Sequence, residues 1–322
     1  MIGQGCSGLI ELTLTNTTAE VKIGNQLTCE FRIVSGVKQG DPLSATLFSI
    51  VIDNIIKQLD LKGNISTHFR QCAAYADDTL LTTRTMHALE DTFQKLKEIS
   101  QQVGLTINEH KTKYLRCTKK EHKMDGIDIT QIHLEQVKSI KYLGSIVNVN
   151  NLIEEEIKER ISLGNRANYA NQDTLKSKLL TRNSKLQMYK TLVRPVVTYA
   201  CDMWVLKENI KTKLRVFERK VLRRIYGPTK EKDGVWRIES NEELNRLTGN
   251  KNIINYVKAQ RLAWFGHVHR MPYNNMVNKI YEWSPALTIS LGRPNNRWED
   301  DVKSDITRMK IANWKSCIRR SD

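Results

Sequence analysis

Two strand-forming runs meet at a pair of adjacent carboxylates, and this junction constrains the chain more than any other feature. Cys72-Ala73-Ala74-Tyr75 leads into Ala76-Asp77-Asp78, and Thr79-Leu80-Leu81-Thr82-Thr83 leads out. β-competent residues on both sides of a short turn predict a tight antiparallel hairpin with acid at its tip. Adjacent aspartates repel unless a cation holds them, so the tip is a candidate seat for a hard divalent metal, magnesium foremost. The plain alternative is solvated turn chemistry, which Asp also suits. Neighbours on an extended strand face opposite ways, so Asp77 is expected to be the stronger ligand and Asp78 the accessory one.

The segments around this hairpin have readings of their own. Gly36-Val37-Lys38-Gln39-Gly40 forms a loop whose glycines let the backbone approach a ligand closely; Asp41 caps and Pro42 opens the helix that follows. Leu43, Leu47, Ile50, Val51, Ile55 and Leu59 recur at helical spacing and predict one buried face. The start of such a helix suits a phosphate or sugar. Before the loop, residues 19–23, a Gly24-Asn25 turn and residues 26–33 predict a hairpin. After it, His87 to Val103 predicts a helix and Leu105-Thr106-Ile107 a short strand-like step. Lys111 follows, on its plain reading a surface lysine beside Lys113. In Tyr142-Leu143-Gly144 the glycine permits a tight turn and the tyrosine can stack on a sugar or base.

In this order and at these spacings, Gly36 to Ser44, Tyr75 to Leu81, Gly104 to Thr112 and Lys141 to Gly144 resemble the later palm motifs of a reverse transcriptase. Their wording is most similar to the non-LTR (LINE-type) retrotransposon branch. The likeness is specific over about residues 20–145 and more diffuse elsewhere. It implies an α+β fold, with a partial right-hand polymerase palm over 1–150, a helical thumb-like region over 151–230 and a basic tail over 231–322. The implied activity is RNA-directed DNA polymerisation with two Mg2+ ions, on an RNA template, a DNA primer and deoxynucleotides; no protein partner is indicated. By the same resemblance, Asp77 and Asp78 are the catalytic metal ligands. Gln39, Gly40 and Tyr75 line the substrate pocket, and Tyr142, Leu143 and Gly144 grip the primer. Lys111 matches the segment in which such polymerases carry a lysine that protonates the leaving pyrophosphate.

One departure stands out. The family palm uses a further metal-binding carboxylate on an earlier strand, several tens of residues before the glycine-rich loop. Here 35 residues precede Gly36, and their acids, Glu11, Glu20 and Glu30, lack the aspartate-aromatic setting of that motif. The resemblance therefore implies a chain truncated ahead of the fingers and the first catalytic aspartate, inactive in isolation. Two ions about 4 Å apart need a bridging carboxylate.

Charge separates the two ends of the chain. Residues 1–150 carry a net +1 and residues 151–322 carry +15 of the total +16. A half so basic points to a polyanion, most simply nucleic acid bound with strong salt dependence. Apolar spacing predicts helices over 152–163, 173–191 and 209–226, with Pro195 breaking the chain after the second. Leu214, Phe217, Val221, Leu222 and Ile225 form a buried face, leaving Arg215, Arg219, Arg223 and Arg224 for a nucleic-acid backbone. By resemblance this is the thumb, holding the template-primer hybrid through its shape and 2′-hydroxyls.

Further on, Arg261 to Met271 and Gly292 to Asp301 resemble the tail that follows the polymerase in many such elements. Trp264 and Trp298 are expected to be core anchors. His267 and His269 alternate like a strand pair with a structural role, and Asp300, Asp301 and Asp305 do not make the acid-and-lysine pattern of a nuclease. Six scattered cysteines without a C-x-x-C pair indicate reduced thiols, and no run is long and apolar enough for a membrane span. An intracellular setting follows, and the family's habits place its work in the nucleus. Two alternatives stay open: a catalytically dead nucleic-acid-binding relic, and a group II intron maturase-like reverse transcriptase.

Overall fold

The computed structural model describes residues 4–15, 17–34, 36–59, 61, 70–118, 125–129, 132–249, 251–273, 275–282, 297–311 and 313–319. The chain divides into two compact units, residues 1–108 with 129–131, and residues 109–128 with 132–322.

The first unit opens with helix α1 (Gln4–Leu14) and four two-residue strands: β1 (Thr18–Ala19), β2 (Lys22–Ile23), β3 (Gln26–Leu27) and β4 (Phe31–Arg32). β2 and β3 close around Gly24-Asn25, and β1 pairs with β4, as the turn residues predict. Helix α2 (Pro42–Gln58) begins as its sequence dictates: Asp41 caps it by accepting from the Leu43 amide at 3.2 Å, and Pro42 takes the first position. The hairpin β5 (Arg70–Tyr75) and β6 (Asp78–Thr83) pairs Cys72 with Leu81 and Tyr75 with Asp78. Helix α3 (Met86–Gln102) follows, capped by Thr85. Ile55 of α2, Leu59 just past its end and Leu96 of α3 centre this core, with Val51, Cys72 and Leu81 packed against them. Ile50 departs from the expected buried face and is 49% exposed.

The expected strand-like step at Leu105-Thr106-Ile107 is not a strand. Gly104, at φ +76, ends α3 in a left-handed cap, with the Leu105 amide donating to the Ser100 carbonyl and the Gly104 amide to Gln101. That pair of bonds is the Schellman closure. Leu105 and Ile107 pack into the core as irregular chain.

Further along the chain, β7 (Lys113–Tyr114), β8 (Ile127–Ile129) and β9 (Ile132–Gln136) form a sheet in the order β7-β9-β8. A hairpin of β10 (Ser139–Tyr142) and β11 (Ser145–Asn148) comes next. The rest is mainly helical. Helix α4 (Glu154–Ala170) carries three glutamates in its first turn, where the helix dipole favours them. Short α5 (Gln172–Lys176) and α6 (Arg182–Met188) replace the continuous helix expected over 173–191. Between them the Ser177 hydroxyl accepts from the Leu179 amide and the Thr181 hydroxyl from the Ser184 amide, local bonds that compete with the helical ladder.

Pro195 does not break the chain where expected. A π-helical stretch, Tyr189–Val193, precedes α7 (Arg194–Val197), so the proline falls in a restarted first turn, where its missing N–H is tolerated. The break comes afterwards, at Ala200 with φ +55. Helix α8 (Glu208–Tyr226) buries Leu214, Phe217, Val221, Leu222 and Ile225 as the spacing requires. Leu214, Phe217, Val221 and Ile225 join Ile157, Leu175, Tyr189, Val197 and Trp204 in the main core. Burial pushes the Cys201 thiol in this core up to about 12.

Strands β12 (Thr229–Lys230) and β13 (Trp236–Arg237) lead to α9 (Asn241–Leu247), α10 (Ile253–Arg270), α11 (Met276–Glu282), α12 (Trp298–Arg308) and α13 (Trp314–Arg319). His267 and His269 lie on α10, not on a strand. The His269 ring meets the Tyr281 hydroxyl at 3.1 Å and so has the structural role expected of it. Trp298 is the anchor the sequence suggests: it packs with Phe265, Val302 and Ile306, and its indole donates to the Asp202 carbonyl at 2.6 Å. Trp264 is only half-buried. Two of the tail's acids pair with cations of α10, one of them fully buried. Arg261, 1% exposed, pairs with Asp301 at 2.8 Å, and Lys258 pairs with Asp305 at 2.6 Å. Residues 292–296, part of the tail's resemblance, lie outside the described residues. No described helix is long and apolar enough to cross a membrane.

Candidate functional site

The β5–β6 hairpin turns in two residues. Tyr75 and Asp78 form its last pair, so Ala76 and Asp77 make the turn, with Ala76 at φ +51. Both carboxylates are exposed, and among the described residues neither is engaged by a side-chain hydrogen bond or salt bridge. The turn borders a cleft of about 520 Å³ in the first unit. Ala76 and Asp77 form one wall, Lys38, Gln39, Gly40 and Asp41 another, and Pro42, Ala45 and Phe48 of α2 give an apolar floor. Gln39, Gly40 and Asp77, apart in sequence, thus line one open cleft. Gly40 lines it at φ +90, a conformation that strains other residues. Tyr75, 68% exposed, and Asp78 do not line this cleft.

The hard oxygens of Asp77 and Asp78 have the donor chemistry for Mg2+, which keeps waters and takes one or two carboxylates plus substrate phosphates. Among the described residues no group of three or more His, Cys, Asp or Glu side chains is placed to hold a metal. The residues present therefore fit part of a two-ion site.

The remaining expected site residues lie in the second unit. Lys111 is an exposed residue in the turn before β7. Tyr142 ends β10, and Leu143 and Gly144, at φ +45 and +80, form the two-residue turn into β11. Sequence reasoning missed what holds that turn. The Tyr199 hydroxyl donates to the Leu143 carbonyl at 2.8 Å, and Arg160 donates to the Gly144 carbonyl. Arg160 Nε also donates to Glu156 at 2.6 Å, and Glu156 accepts from the Ile146 amide at 2.7 Å. The i,i+4 spacing of Glu156 and Arg160 is visible in sequence; their burial is not.

Arg215, Arg219, Arg223 and Arg224 are all half-buried along α8. Arg215 pairs with Glu208 at 3.0 Å, and Arg223 donates to Asn241 at 2.9 Å. Arg215 and Arg219 line a small polar cleft of about 50 Å³ with Asn245, Thr248 and Asn252.

Residues 5–147 match the model of the family described as reverse transcriptase (RNA-dependent DNA polymerase). This stretch belongs to the reverse transcriptase family. The chain is 26% identical to a transposon-derived protein of Caenorhabditis elegans over 72% of its length and 84% of that relative. It is 24% identical to an RNA-directed DNA polymerase from the X-element transposon of Drosophila melanogaster, over 68% of this chain and 25% of that protein. To the Pol polyprotein of an R2 retrotransposable element of the same fly it is 31% identical over 36% of this chain and 12% of the polyprotein. The relatives bear out the non-LTR retrotransposon type of reverse transcriptase expected from the motifs. The chain spans a quarter or less of the two fly polymerases.

Proposed function

We propose that this chain supplies the later palm, the thumb and the tail of an RNA-directed DNA polymerase of a non-LTR retrotransposon, copying RNA into DNA in the nucleus. The single observation that carries the reading is the cleft in which the Gly36–Asp41 loop, the start of α2 and the Ala76-Asp77 turn converge. It suits a deoxynucleotide: an apolar floor for base and sugar, backbone at Gly40 for close approach, and a carboxylate at the phosphate end.

Asp77 is the nearer ligand and Asp78 the accessory one, since only Asp77 lines the cleft. Magnesium, were it held by Asp77 and Asp78, would lower the pKa of the attacking 3′-hydroxyl and neutralise charge on the leaving phosphate. The protein's own share is placement. Gln39 and Gly40 orient the nucleotide, Tyr75 flanks the turn, Lys111 provides a proton for the pyrophosphate, and the Tyr142–Gly144 hairpin seats the primer. The arginines of α8 hold the hybrid by charge, which supports strongly salt-dependent binding.

The test is extension of a DNA primer on an RNA template by the purified chain with Mg2+, with Asp77→Asn beside it and a salt titration of hybrid binding. Extension that disappears in Asp77→Asn supports the assignment; extension that survives it overturns the metal role. Salt-sensitive binding without extension is the result expected of the chain alone, because the described residues bring only two carboxylates to this turn.

A further inference from the structure

A two-stranded hairpin of four-residue strands is marginal in water by itself. The β10–β11 hairpin is not left by itself. Both carbonyls of its turn are tied from one side, Leu143 by the Tyr199 hydroxyl at 2.8 Å and Gly144 by Arg160. Arg160 and Glu156 are 6% and 2% exposed, and the guanidinium lies 4.5 Å from the centre of the Tyr199 ring. Glu156 bridges Arg160 and the Ile146 amide, so one carboxylate joins the clamp to the returning strand. At the base of the hairpin, Asn148 exchanges hydrogen bonds with the Leu152 backbone at 2.8 and 2.9 Å. Burying an ion pair and bonding all its partners is a costly way to hold two turn carbonyls unless their position matters. The Leu143 side chain stays exposed beside this support.

We propose that Glu156, Arg160 and Tyr199 are positioning residues for the primer strand, holding the Leu143-Gly144 turn in the one conformation that seats the primer end. The proposal rests on reading this hairpin as the primer-holding element. Because misplacement of a reacting group by about 1 Å costs about 100-fold in rate, a rigid mount is what such an element requires.

The test uses the full chain as wild type, Tyr199→Phe and Arg160→Lys. Tyr199 is half exposed, so its conservative variant tests the clamp even if Arg160→Lys fails to fold. Two readouts are taken. Amide hydrogen exchange over residues 143–146 without nucleic acid reports the clamp. Photocrosslinking from a 3′-terminal 4-thiothymidine on a DNA primer annealed to RNA, normalised to bound hybrid, reports the seating of the primer end on the 139–148 peptide. Loss of one hydrogen bond is expected to speed exchange about fivefold and to lower crosslinking by a similar factor, while hybrid affinity changes less than about twofold. Faster exchange with unchanged crosslinking overturns the positioning role, and unchanged exchange overturns the clamp. A wild-type chain that binds hybrid yet never crosslinks to 139–148 overturns the primer-holding reading itself.

Discussion

The molecule has two hairpins built to the same plan and finished in opposite ways. Tyr75-Ala76-Asp77-Asp78 and Tyr142-Leu143-Gly144-Ser145 each turn an antiparallel pair in two residues, and each places a non-glycine residue at positive φ. In the first, the proposed functional groups are side-chain carboxylates, exposed and unengaged among the described residues. In the second, the turn's carbonyls are bonded to Tyr199 and Arg160, the latter fixed by Glu156. The difference follows from what each turn is proposed to offer. A carboxylate already paired with arginine competes poorly for a cation, so a metal-binding turn must leave its acids free. A turn that offers shape has to be made rigid, and its spare carbonyls are where support attaches without covering its working face.

The largest effect separates the hairpins by chemistry. With the chain set in the frame of a related full-length polymerase, Asp77→Asn is expected to lower primer extension by about 1,000-fold, several kcal/mol of lost metal-held stabilisation, with hybrid affinity unchanged. Asp78→Asn is expected to cost less. Equal losses for the two, read in single-turnover assays, would break the ranking of Asp77 above Asp78.

The next effect falls on the support. Gly164 of α4 sits where an added Cβ would come 2.1 Å from a Val197 methyl and 3.0 Å from the Phe217 ring. Gly164→Ala therefore pushes α4 away from its neighbours and takes Arg160 with it. Overpacking of this kind costs about 1–3 kcal/mol, to be read from urea unfolding. Hydrogen exchange at 143–146 should quicken in this variant and stay unchanged at 75–78.

The first hairpin was legible in sequence and the second only in outline. The β5–β6 turn announces itself because its acids, its flanking strands and the capped helix α2 are all local patterns, and Asp41, Pro42 and Gly24 act within a few residues. Of the cleft, Gln39, Gly40 and Asp77 were legible as candidates; Phe48 and Ala45 were not, because a floor is made by folding and not by spacing. The clamp was illegible for the same reason: Tyr199 reaches Leu143 across 56 positions of chain. Where local reading failed, a specific bond or turn had replaced the regular element. Gly104 ended α3 and left Leu105 and Ile107 to pack as coil; Ser177 and Thr181 split a helix that its apolar spacing favoured. The histidines of α10 misled because two residues spaced by one fit a strand as well as they fit a helix.

The two smallest effects are opposite substitutions at matching turns. Gly144→Ala puts a side chain at φ +80 and its Cβ 3.4 Å from the Tyr199 ring, so it is expected to destabilise by about 1–2 kcal/mol, seen as a lowered urea midpoint. Ala76→Gly runs the other way. Ala76 is held at φ +51, where a Cβ costs about 1 kcal/mol, so glycine should relieve that strain and raise the midpoint slightly. The same change frees the turn to sample conformations in which Asp77 leaves the cleft wall, so the more stable protein should bind Mg2+ no better, or worse, by isothermal titration. Should Ala76→Gly raise stability and metal affinity together, the alanine would be contributing nothing to the placement of Asp77, and the strained turn would be an accident of sequence rather than part of the site.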